Sequence, residues 1–268
     1  MSIEVSIMGR RERRRLETYD EIVEVSRQLL REGHDLSLRA VATQMGMTSP
    51  ALYRYIKSVD GLHKLVAHDI YSDVVAAMAK ARDYYPPDDP AARLAASATM
   101  FRLWALAHRT EFQMAFANPF AATRSAGTNV FVSFPNVEGE DNANPFADYF
   151  AELFVELHSL GLISAPSAED LDPALSSVIQ KGATNSNSPF LASLGVEGVG
   201  MGWLFKLAWA RLYGVLMIEV FGQIEEELIE SGSVFNTLMR ETFASLGLAD
   251  GWERLVEVSR DTVARKDF

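Results

Sequence analysis

The sequence predicts an all-α fold, with a small three-helix head at the N-terminus and a larger helical bundle behind it. Three observations carry this. Apolar residues recur at i, i+3, i+4, i+7 spacing in run after run, as amphipathic helices require. The runs are separated by Gly, Pro and capping Ser or Thr where helices start and stop. The 268 residues are 48% hydrophobic without a dominating low-complexity tract, enough for one large core or two modest ones.

The first helix carries Tyr19, Ile22, Val23, Ser26, Leu29 and Leu30 on one stripe, with Asp20, Glu21 and Glu24 early and Arg27 and Arg31 late, as the helix dipole favours. Gly33 stops it. Ser37 caps a second helix, striped by Leu38, Val41, Ala42 and Met45, and Gly46 closes it by taking a left-handed conformation. Thr48 caps a third, with Pro50 in the first turn where its missing N–H costs nothing. Leu52 and Ile56 face the first two stripes, leaving Ser49, Tyr53, Arg54 and part of Tyr55 outside. Two of these helices flank a short glycine turn, which is a helix-turn-helix.

Such a second helix enters a major groove with polar side chains, and its phosphate contacts set the register. Small hydroxyls at Thr48 and Ser49 permit close approach, and Tyr53, Tyr55 and Lys57 have the reach for phosphate oxygens. Arg39 could meet a guanine edge or a phosphate. Net charge is −11, but it is unevenly spread: residues 1–62 hold ten Lys/Arg against nine Asp/Glu, and residues 63–268 hold fifteen against twenty-seven. Arg10, Arg11, Arg13, Arg14 and Arg15 concentrate half of the head's positive charge. An acidic chain with one locally basic end fits contact with a polyanion at that end.

The runs Leu36-Ser-Leu-Arg-Ala-Val-Ala, Met45-Gly-Met-Thr, Ala51-Leu-Tyr-Arg-Tyr-Ile-Lys-Ser and Gly61-Leu62 closely resemble the DNA-binding domain of the TetR family of transcriptional regulators. The resemblance covers roughly residues 15–70. It implies an N-terminal helix-turn-helix head on a larger helical ligand-binding and dimerisation bundle. The corresponding division is a basic arm over residues 1–15, a DNA-binding domain over 16–62 and the bundle over 63–268. It places Arg39, Thr48, Ser49, Tyr53, Tyr55 and Lys57 at the DNA, with Val41, Met45, Leu52 and Ile56 as the core behind them. Repression of a palindromic operator, relieved by a small molecule, is the behaviour common in that family.

Ser58 caps a long helix through Leu62, Leu65, Val66, Ile70, Val74, Val75 and Met78 to about residue 82. In the resemblance it links head to bundle, and a continuous helix acts as a stiff lever. A Pro- and Asp-rich linker at 84–90 ends it. Helix returns over 91–117 with a break at His108, followed by a Gly-, Pro- and Asn-rich loop over 118–144 containing a β-like island at 130–134. Pro145 opens a helix that ends near Gly161, and a shorter one is expected over 170–183. The stretch from about 201 to 230 reads as one helix, apolar almost all round at first, which must be covered on most sides. Its charges Lys206, Arg211 and Glu219 disfavour a membrane span. Residues 233–246 form another helix, and 251–268 a possible terminal one.

The pocket candidates are Phe101, Trp104, Phe112, Phe116, Phe146, Tyr149, Phe150 and Phe154, from helices that by resemblance surround the ligand cavity. Their character suits a hydrophobic or aromatic effector. Leu212, Leu216, Phe235, Leu238, Met239 and Phe243 are expected at a four-helix homodimer interface. The run Trp209…Tyr213-Gly214 is similar to the Trp…His-Gly signature of one TetR subgroup, with Tyr213 in place of the histidine.

No cofactor or metal is expected. The histidines at 34, 63, 68, 108 and 158 lack metal-ligand spacing, and no P-loop, dinucleotide fingerprint or nucleophile elbow occurs. The absence of cysteine excludes disulfides and thiolate chemistry and is compatible with a cytoplasmic protein. The N-terminus lacks the basic-then-apolar order of a signal peptide. The rival reading is an all-α small-molecule-binding protein or enzyme whose head no longer binds DNA.

Overall fold

The computed structural model describes residues 9–117, 145–167, 169–174, 177 and 198–265, and its ordered elements are all helical, with no strand among the described residues. Among the described residues eleven α-helices follow one another: α1 (Arg10–Arg31), α2 (Leu38–Gln44), α3 (Ser49–Leu52), α4 (Val59–Arg82), α5 (Pro90–Ala107), α6 (Arg109–Phe116), α7 (Pro145–Ser159), α8 (Gly198–Val220), α9 (Glu226–Ser231), α10 (Ser233–Ser245) and α11 (Trp252–Ala264). The loop expected over 118–144, with its β-like island, and most of the helix expected over 170–183 lie outside the described residues. Two compact units divide the chain: residues up to 70 together with 110–117, and residues 71–109 together with the described residues from 145 onward. The division falls within α4, so that one helix belongs to both.

In the smaller unit the stripes meet as the pattern predicts. Ile22, Leu29 and Leu30 of α1 are buried, as are Leu38, Val41 and Ala42 of α2, Leu52, Ile56, and Leu62, Val66 and Ile70 of α4. Phe112 and Ala115 of α6 are buried too. The buried Ser26 hydroxyl is satisfied by the Ile22 carbonyl, 2.6 Å away on its own helix. Ser37 accepts from the Ala40 N–H at 3.2 Å and Ser58 from Gly61, two of the three expected caps. Gly46 turns the chain at φ +66°, where any other residue would be strained.

A buried carboxylate ties the helices of this unit together. Glu111 of α6 has no exposed side-chain surface, and Arg27 Nε reaches it at 2.7 Å while Arg31 Nη1 stands at 3.4 Å. Arg27 also pairs with Asp69 of α4 at 2.9 Å. One guanidinium thus joins α1, α4 and α6.

The larger unit is built on α5, buried along nearly its whole length, including the polar Arg93, Ser97, Thr99 and Arg102. Its many alanines let α7, α8 and α11 pack closely. The possible terminal helix of the sequence reading is present as α11. Thr99 donates to Ser259 Oγ at 3.0 Å, Tyr85 donates to the Val258 carbonyl, and Asp89 pairs with Arg254.

Arg102 forms a two-pronged ion pair with the buried Glu219 of α8, at 2.7 and 3.2 Å. It donates as well to the Ile229 carbonyl of α9 and lies 5.3 Å from the Phe235 ring of α10. Arg109 donates to the last carbonyls of α8, those of Glu219 and Val220, each at 2.9 Å. Burial raises the Glu219 carboxyl above the usual range, against the opposing pull of Arg102 and Arg109. Val199–Val220 is long and apolar enough to cross a bilayer, but its last turn is held into this unit by those two arginines.

Three expectations change. The single helix over 201–230 is two, because Gly222 takes φ +63° and ends α8 before α9 begins. The basic arm over residues 1–15 is helical from Arg10 onward, continuous with α1. The third helix of the head is regular only over Ser49–Leu52, and Thr48 occupies its cap position without a side-chain capping bond.

Removing one partner of a buried ion pair strands the other, so Arg102→Ala is expected to destabilise the protein by about 3–5 kcal/mol in urea denaturation. Adding Glu219→Met to that variant is expected to recover part of the loss. A single-variant cost within about 0.5 kcal/mol, the usual surface value, would show that the pair contributes nothing.

Candidate nucleic-acid interface and apolar cavity

The candidate recognition segment begins where Gly46 ends the turn after α2. Thr48 is exposed with extended backbone and Ser49 is half-buried. Leu52 is wholly buried, which holds α3 against the head's core. Beyond it the backbone tightens: Tyr53 N–H still bonds Ser49, but Arg54 N–H reaches Ala51 and Tyr55 N–H reaches Leu52, three residues back. That tighter turn leaves the neighbours Tyr53 and Arg54 both exposed, Tyr53 at 47%. Lys57 is exposed and donates to the Tyr53 carbonyl at 3.1 Å. Arg39 is exposed on α2, and its carbonyl accepts from Thr43 one turn on.

Tyr55 differs from the others. It is half-buried, with its ring edge-on to Tyr19 of α1 at 5.7 Å and 86°. Tyr19 donates to the Tyr55 carbonyl at 3.3 Å, and Arg15 lies 5.7 Å from the Tyr19 ring. Tyr55 therefore braces the segment against α1 and has less freedom to reach outward than Tyr53. Sequence reading placed Tyr19 on the first helical stripe without its partner, since the pair is 36 residues apart. Arg54 is exposed beside Tyr53, the outward placement its helical position predicts.

A narrow cavity of about 30 Å³ opens in the larger unit, in contact with solvent. Leu94 and Ala98 of α5, Phe150 and Phe154 of α7, Phe205, Ala208, Trp209 and Leu212 of α8, and Met239, Thr242, Phe243 and Leu246 beside or on α10 line it. The only hydroxyl among them, on Thr242, donates to the Leu238 carbonyl of its own helix at 2.8 Å. The walls thus offer an apolar surface with aromatic faces and almost no hydrogen bonding.

The eight pocket candidates divide four ways. Phe150 and Phe154 are in the cavity wall. Phe101 and Phe146 stand behind it in a ring cluster, Phe101–Phe146 at 4.9 Å and Phe146–Trp209 at 5.3 Å. Trp104 is buried and stacks on His108, and Tyr149 is buried with its hydroxyl 2.7 Å from Ser97 Oγ. Burial pushes the Tyr149 phenol up to about 12. Phe112 and Phe116 belong to the smaller unit, stacked on each other at 4.8 Å, and are not in this wall. Phe205, Ala208 and Trp209 are wall residues that sequence reading assigned only to an apolar helix.

The expected interface residues are also redistributed. Leu212, Leu216, Phe235, Met239 and Phe243 are each buried within the single chain, and Leu238 is half-buried. Three of them, Leu212, Met239 and Phe243, line the cavity. On α8, Trp203, Leu207 and Met217 are half-buried and Ala210 and Gly214 exposed, at helical spacing, with Phe221 exposed just beyond the helix end. A Cβ at Gly214 would meet nothing within 4 Å.

The chain is 28% identical, over 245 residues, to the HTH-type transcriptional regulators Rv1816 of Mycobacterium tuberculosis and Mb1846 of Mycobacterium bovis. The match spans 89% of this chain and 96% of each relative. A crystal structure of a proposed regulatory protein, SCO4313, aligns with a TM-score of 0.55 at 22% identity, over 88% of this chain and the whole of that one, a likeness of fold. No family model matches. The chain is thus similar over most of its length to regulators of the helix-turn-helix type.

Filling the cavity tests its capacity to bind. An uncharged polarity-sensitive dye is expected to brighten on binding the wild type at one site per chain. Ala208→Phe is expected to weaken that binding at least ~tenfold, with a stability cost of about 1–3 kcal/mol for overpacking. Unchanged dye affinity would place the dye elsewhere.

Proposed function

We propose that this protein is a TetR-type transcriptional regulator, a homodimer that holds a palindromic double-stranded operator and leaves it when a hydrophobic or aromatic small molecule enters the cavity. The observation that carries the reading is the segment after Gly46. Arg39, Thr48, Tyr53, Arg54 and Lys57 are exposed together around a buried Leu52, while Tyr55 braces them against α1. A groove-reading helix needs that division between a fixed core side and a polar outer side. Similarity to named helix-turn-helix regulators supports it.

Affinity in this reading comes from a few well-placed donors, since the whole chain carries a net charge of −11. Tyr53 and Lys57 hold phosphates, Arg39 and Arg54 reach a base edge or phosphate, and Thr48 and Ser49 allow close approach. Dimerisation doubles these contacts and spaces two half-sites about one helical turn apart. The outer face of α8 suits that pairing, because Ala210 and Gly214 let a second helix come close between the larger Met217 and Leu207.

Selection on random duplex DNA is expected to return a palindrome protected in footprinting, and Tyr53→Ala is expected to abolish its binding while leaving dimer mass and Tm near wild type. Loss of folding in Tyr53→Ala would make that residue structural. Should no palindrome emerge while the cavity still takes up the dye, the reading of an all-α binding protein or enzyme without DNA function replaces this one.

Gly214→Arg, which adds a charge to open space on one chain, is expected to give monomers with weakened operator binding. An unchanged dimer mass in light scattering would locate the interface elsewhere.

A further inference from the structure

The inner stripe of α1 changes character along the helix. Leu29, Ser26 and Ile22 are buried in the head, and Tyr19 and Thr18 are half-buried at its edge. Continuing the same spacing toward the N-terminus, the next positions are Arg15, Arg14 and Arg11, all exposed. The helix runs on through them to Arg10, capped by Gly9, so this part of α1 overhangs the head's packed core as a rod. Nothing apolar is offered on the overhang's inner side.

The overhang is tied to the recognition segment. Arg15 Nη2 donates to the Tyr19 hydroxyl at 3.4 Å, and Tyr19 in turn bonds and packs against Tyr55. Thr18 donates to the Arg14 carbonyl at 2.8 Å. At about 1.5 Å of rise per residue, Arg11 lies roughly 12 Å along the axis from Tyr19. No ion pair joins Arg11, Arg14 or Arg15 to a described carboxylate. A helix with an unneutralised arginine stripe, held at one end by the segment that would face DNA, fits the sugar-phosphate backbone beside the groove.

We propose that Arg11, Arg14 and Arg15 form a second DNA contact, on the phosphates flanking each half-site. This rests on the reading of the chain as a DNA-binding protein. Twelve ångströms corresponds to roughly three to four base pairs of duplex axis. The overhang therefore lengthens the footprint outward at each end by about that amount. Phosphate contacts carry no sequence information directly, so they raise affinity for every duplex alike and leave base preference to α3.

The test uses the full-length protein and a duplex that the wild type selects from random sequence, with an unrelated duplex as control. Binding is measured across a salt series alongside hydroxyl-radical footprinting. The variant Arg11→Gln, Arg14→Gln, Arg15→Gln is expected to make the slope of log affinity against log salt shallower by roughly 2 to 3 units, ~0.9 per lost phosphate contact. Its footprint is expected to lose its outer edges, with the ratio of specific to unrelated binding unchanged. Arg11→Gln, Arg14→Gln alone leaves Arg15 on Tyr19 and is expected to lose roughly two units. Lysine at all three positions is expected to restore the slope. A wild-type slope and footprint in the triple glutamine variant would overturn the proposal. A wild type that selects and retains no duplex would instead overturn the DNA-binding reading itself.

Discussion

Helix α5 has almost no solvent face, and a helix in that position can keep polar side chains only where partners meet them. Arg102 is the extreme instance. It is buried in the middle of the larger unit, and Glu219, the Ile229 carbonyl and the Phe235 ring all converge on it. Those partners come from α8, α9 and α10, so satisfying one guanidinium positions three helices. Gly232 completes the arrangement. Its left-handed backbone links α9 to α10, and a Cβ there would stand 3.4 Å from the guanidinium. The cavity lies between the elements fixed in this way, with α8 and α10 forming much of its wall.

The smaller unit follows the same logic with a different outcome. Its buried Glu111 is reached by Arg27, while the buried Leu38, Val41, Ala42 and Leu52 seat α2 and α3. Polar groups are thereby left free at the surface around α3, and the tight turn after Leu52 sets two neighbouring side chains outward. A four-residue helix could not by propensity hold that geometry in water. Leu52 and Ile56 anchor it from beneath, and the Tyr19–Tyr55 pair from the side.

Much of this was legible in the sequence, because helical spacing, caps and left-handed glycines are local signals. The stripes of α1 and α2, the caps at Ser37 and Ser58, the break at His108 and the turn at Gly46 all read directly from neighbouring residues. What covers an apolar face is not a local property. Leu212, Met239 and Phe243 have the spacing of an outward apolar stripe, yet they line the cavity, while the exposed Ala210 and Gly214 are too small to mark an apolar face in the pattern. Alanine-rich α5 shows no stripe because it needs none, being covered on every side. Phe112 and Phe116 are close in sequence to the larger unit's aromatics, yet the chain returns there to the smaller one.

That return makes the head discontinuous in the chain. Its α6 is supplied only after α5 has been threaded through the other unit, and it brings Glu111, the carboxylate that Arg27 and Arg31 share. Cutting the gene after α4 would not excise a finished module. It would leave two cations facing a vacated position and the core short of Phe112 and Ala115. Recombination that grafts this smaller unit onto a different bundle must carry α6 as well, or the recipient must provide an acidic residue in its place. The natural unit of exchange is a pair of separated segments, and this constrains which hybrid proteins the fold can yield.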